Sequence, residues 1–158
     1  MRGLIKILAL LLCLCLLAGC GSDSRLTAKE IADELKTFSA DTVSWTELGR
    51  SKISTYFGFS DENITGFKGY INDAEEKFDM IAVFGFEDET TKAEILSGIS
   101  DMTTQMSENY KLANESVAGK IISKTLAQTD HFVILCIMDQ NKKVTEYLQN
   151  EVKAEIIA

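Results

Sequence analysis

The residues able to do chemistry in this 158-residue chain are few: four cysteines (Cys13, Cys15, Cys20, Cys136) and one histidine, His131, next to Asp130. A His–Asp pair can orient a general base. Here it falls in a polar turn with no second histidine to complete a zinc set, and solvation accounts for it. Acidic groups occur at Asp61-Glu62, at Asp73 with Glu75-Glu76, and at Glu87-Asp88-Glu89. Carboxylates so grouped can hold calcium or share acid–base work, but none has the spacing that either demands. Helix starts and turns explain them. No nucleophile elbow, phosphate loop, dinucleotide glycine pattern, paired-histidine zinc motif or calcium loop occurs. The expectation is therefore no catalytic residue, no metal and no cofactor. Five aromatic residues, Tyr56, Phe57, Phe59, Phe67 and Tyr70, lie close in sequence. If a groove for a ligand or partner exists, they are the candidates to line it; their other use is core packing.

Cys20 has a different context. Met1 to Lys6 is a short basic start, and Ile7 to Ala18 is a charge-free, leucine-rich run. Even Leu4 to Leu17 as a helix spans only roughly 21 Å, against about 30 Å of bilayer hydrocarbon. A removable export signal fits better than a permanent span. The run ends Leu17-Ala18-Gly19-Cys20. This resembles the bacterial lipobox: a branched apolar residue, two small residues, then cysteine. The resemblance implies a diacylglyceryl group on the Cys20 sulfur and a cut just before it. Two acyl chains give stable anchoring where one is marginal. The expected division is a signal peptide over 1–19, a lipidated cysteine and tether over 20–26, and one domain over 27–158. An extended tether reaches about 20 Å. The expected location is the outer face of the cytoplasmic membrane.

Composition agrees with one folded domain. Apolar residues make up 46% and charged residues 25%, which is globular rather than disordered. The formal charge is −8, and the leader would take Arg2 and Lys6 with it. That balance excludes a nucleic-acid footprint, which needs basic excess. Loss of Cys13 and Cys15 and acylation of Cys20 would leave Cys136 alone. It lies in the apolar run Phe132 to Met138 and reads as a small core hydrophobe in a strand.

The elements that must position these residues follow from periodicity. Leu26-Thr27-Ala28-Lys29-Glu30-Ile31 opens a helix, with Thr27 and Glu30 as a capping box and Leu26 stapled onto Ile31. Trp45 to Phe57 reads as a second helix closed by Gly58. Strands are expected over 65–72 and 77–86, joined by a polar turn through Glu76. A long helix follows from Glu87 or Asp88 to about Tyr110, then a connector over 112–119. Two more strands, 120–126 and 132–138, precede a last helix over 139–156. The second and fourth strands are continuous apolar runs that want central, doubly covered positions. Lys68 and Lys124 mark the other two as edges. The expected fold is α+β: a four-stranded antiparallel sheet in the order 1-2-4-3 built by ββαββα. The long and last helices cover one face, and the two N-terminal helices or a partner cover the other.

Taken together, the lipobox cysteine, the Leu-Thr-x-x-Glu-Ile-Ala helix start at 26–32, the Phe57 to Asp61 turn and the Asp79 to Phe84 strand resemble the domain-of-unknown-function 4358 lipoproteins of Gram-positive bacteria. The connector over 112–119 lacks a proline that is common in that family. The resemblance implies lipid attachment at Cys20, and no activity or catalytic residue. The functional expectation is a membrane-anchored, non-catalytic binding or interaction module with an unknown protein or small-molecule partner. The alternatives are a small-solute receptor of a transport system and, less favoured, a cell-envelope enzyme.

Overall fold

A computed structural model describes residues 26–39, 44–74 and 77–158. Among them the chain runs α1 (Ala28–Thr37), β1 (Thr46–Leu48), a 3₁₀ turn (Arg50–Lys52), α2 (Ile53–Phe57), β2 (Gly66–Asn72), β3 (Asp79–Gly85), α3 (Glu89–Ala113), α4 (Glu115–Ile122), β4 (Thr125–Gln128), β5 (Phe132–Ile137), α5 (Asn141–Asn150) and β6 (Glu155–Ile156). The strands form one antiparallel sheet in the order β1-β2-β3-β5-β4-β6.

The four central strands stand in the expected 1-2-4-3 order, but the sheet has six strands rather than four. β1 adds to β2, pairing Thr46 with Ile71 and Leu48 with Gly69. β6 adds to β4, pairing Ala127 with Ile156. The strands that Lys68 and Lys124 were expected to mark as edges are interior instead, β2 lying between β1 and β3 and β4 between β5 and β6. Lys68 sits beside β1 and its ammonium meets the Glu47 carboxylate at 2.7 Å, while Lys124 precedes β4 rather than lying in it. The segment expected as one helix from Trp45 to Phe57 is instead a short strand, a 3₁₀ turn and a five-residue helix. Gly58 ends that helix with φ 73°, a left-handed C-cap open to glycine. Residues 120–122 belong to α4, capped by Asn114, and the strand starts only at Thr125. The last helix stops at Asn150, six residues short of the expected end, and its tail turns back to pair with β4.

Two cores follow from the alternation of β3 and β5. One face sends Met80, Ala82, Phe84, Val133, Leu135 and Ile137 toward α3, α4 and α2. The other sends Ile81, Val83, Ile134 and Cys136 toward Ile31 and Leu35 of α1 and Val144 and Leu148 of α5. The second face is thus covered by helices of the chain itself. The pairing of helices differs from the expected one: α5 lies opposite α3, and α2 joins α3 rather than α1. Leaving β5 at Ile137, the chain carries Met138 and then Val144 and Leu148 into the Cys136 core, whereas Ile53 and Phe57 of α2 pack with Phe84 and Ile95.

Local signals at the helix starts are as expected. Thr27 Oγ1 accepts from Glu30 N at 3.2 Å, and Glu30 accepts from Thr27 N at 2.8 Å. Asp88 accepts from Thr91 N at 2.8 Å at the head of α3. Gly98 in α3 has a packing role: a Cβ there would sit 2.3 Å from the Phe57 carbonyl oxygen and 2.5 Å from the Phe59 ring. Gly98→Ala is expected to destabilise the fold by about 2 kcal/mol or more through overpacking. Gly119→Ala, at a helical site with nothing within 4 Å, is expected to stabilise by about 0.5–1 kcal/mol. Urea denaturation of the two variants checks the opposite signs; equal effects would contradict the packing of α2 against α3.

Candidate functional site

Four of the five candidate aromatics converge, and one does not. Phe57, Phe59 and Phe67 surround Phe84 at ring-centroid distances of 5.0, 5.7 and 5.1 Å, and Tyr56 stands 6.4 Å from Phe57. Phe57 is fully in the core, and Tyr56, Phe59 and Phe67 are half-buried against it. Their main use is therefore packing. Tyr56 and Phe59 do border a groove along α3, which Glu94 and Asp101 also line. Tyr70 points to the opposite face, because three residues along a strand reverse the side. Its hydroxyl donates to Asp33, and the Lys36 and Lys68 ammonium groups lie 4.4 and 5.0 Å from its ring centre. Burial and the Asp33 hydrogen bond push the Tyr70 phenol above its ordinary pKa.

Some of the acidic side chains serve the fold: Asp61, Asp88 and Glu89. Asp61 accepts from Arg50 Nε at 3.0 Å, and the same guanidinium bonds the Asp61 and Ile64 carbonyls, fastening the turn before β2. Glu62 and Asp73 are exposed, and Glu75 and Glu76 lie outside the described residues. Asp88 caps α3. Among the described residues no three His, Cys, Asp or Glu side chains come together around one metal position. Cys136 is a free, fully buried thiol whose pKa is pushed far up, first by burial and then by the Asp79 charge. That leaves it protonated and unreactive.

A buried ion pair closes one end of the sheet. Lys120 of α4 reaches Asp79 at 2.9 Å and Asp139 at 3.3 Å; the Lys120 and Asp79 side chains are 13% and 9% exposed. Burial alone lowers the Lys120 pKa, but the Asp79 hydrogen bond and the two carboxylate charges outweigh it, and the net shift is upward.

The other end of the sheet carries a cleft of about 600 Å³. The start of α1 (Leu26, Ile31), the first turn of α3 (Glu89, Lys92), the β4–β5 turn and the segment after α5 meet there. Both members of the His–Asp pair, Asp130 and His131, lie on its wall. Sequence reading missed this cleft, since its residues come from four separated segments and none forms a motif. Lys153, on its rim, has φ 60°, a left-handed conformation adopted where the chain leaves α5.

Cys20, with the lipobox residues Leu17, Ala18 and Gly19, lies outside the described residues, as do Cys13 and Cys15. No helix among the described residues is long and apolar enough to cross a membrane. Lys120→Met is expected to destabilise by about 2–3 kcal/mol, because it strands the buried Asp79 carboxylate. The raised lysine pKa sets the sign with pH. The pair's contribution is complete below the unfolded-state lysine pKa, about 10.4, and is lost as pH rises through the higher folded-state value. The stability gap between wild type and variant, measured by urea denaturation, should be flat from about pH 7 to 9 and narrow above about pH 10.5. A gap that widens there would contradict the assignment. No family model, no curated protein and no solved structure matches this chain.

Proposed function

We propose that the chain is an extracytoplasmic lipoprotein, held through acylated Cys20 at the outer face of the cytoplasmic membrane, and that its domain is a non-catalytic binding or interaction module. The observation that carries this reading is Leu17-Ala18-Gly19-Cys20 directly after a short charge-free run. The position of the folded domain supports it, since α1 is capped at Thr27, seven residues beyond that cysteine. The resemblance to domain-of-unknown-function 4358 lipoproteins, carried by residues 26–32, 57–61 and 79–84, points the same way. So does the use made of some of the acidic side chains, which cap helices and fasten turns.

A second reading, a small-solute receptor, is favoured by the cleft of about 600 Å³ beside Leu26. In that case the wall belongs to the β4–β5 turn, the starts of α1 and α3 and the segment after α5, and not to the aromatic cluster.

Metabolic labelling with a radioactive fatty acid tests the anchor. Label and membrane fractionation are expected for the wild-type chain, and loss of label in Cys20→Ala. Persistent labelling of Cys20→Ala would overturn the proposal.

A further inference from the structure

We draw no further inference here: the strongest candidate, the side-chain cluster of Trp45 and Asn72 at the Lys120 end of the sheet, with its buried Nε1 and Nδ2 donors left without a hydrogen-bond acceptor, carries nothing, because it adjoins in sequence segments 40–43 and 75–76, which lie outside the described residues, and nothing in the structure shows what accepts from the two donors.

Discussion

Two-sided burial of β3 and β5 is the constraint on which the rest of the structure depends. All seven residues of β3 are buried, as are Val133 to Ile137 of β5. A strand pair that is apolar on both faces cannot stand at an edge or against water. It needs neighbours on both sides and helices above and below. β2 and β4 supply the neighbours. The long α3, with α4 and α2, covers the Phe84 face, and α1 with α5 covers the Cys136 face. The same constraint sets the chemistry of Cys136, whose thiol is held neutral by the burial that gives β5 its place.

The two ends of the sheet then take different roles. At one end Lys120 joins α4 to β3 and to the turn after β5 through Asp79 and Asp139, so that helix and strands are locked by charge as well as by packing. At the other end four segments meet without filling the space between them, and the cleft remains. The N-terminal helix borders that end, since Leu26 and Ile31 are in its wall. The long helix α3 spans roughly 37 Å from Glu89, at the cleft, to Ala113.

Much of this was legible in the sequence, and the exceptions have physical causes. The nearly all-apolar runs at 77–86 and 132–138 announced the central pair, and with it the order of four strands. Thr27 with Glu30 announced one helix start, and the acidic run at Glu87, Asp88 and Glu89 another. The edge strands were illegible because three residues at Thr46–Leu48 and two at Glu155–Ile156 are too short to show a period. Ile121 and Ile122 suggested a strand, yet only Ile121 is buried and Ile122 stands 69% exposed, as a helix end requires. The end of α5 went unseen because a lysine, not a glycine, takes the left-handed position at 153. Tyr70 was grouped with aromatics from which its own strand parity separates it. The cleft had no sequence signal, since only the fold brings Leu26, Glu89, Asp130 and Glu151 to one place.

Native-state hydrogen exchange tests the two-sided core most directly. If β3 and β5 are covered on both faces by the chain itself, the amides of Ile81, Val83, Ile134 and Cys136 should be the slowest, exchanging only through global unfolding. Amides of β1 and β6 should exchange faster through local opening. Fast exchange across β3 and β5 with slow exchange at the edges would contradict the account, since it would mean that the α1–α5 face is open to water.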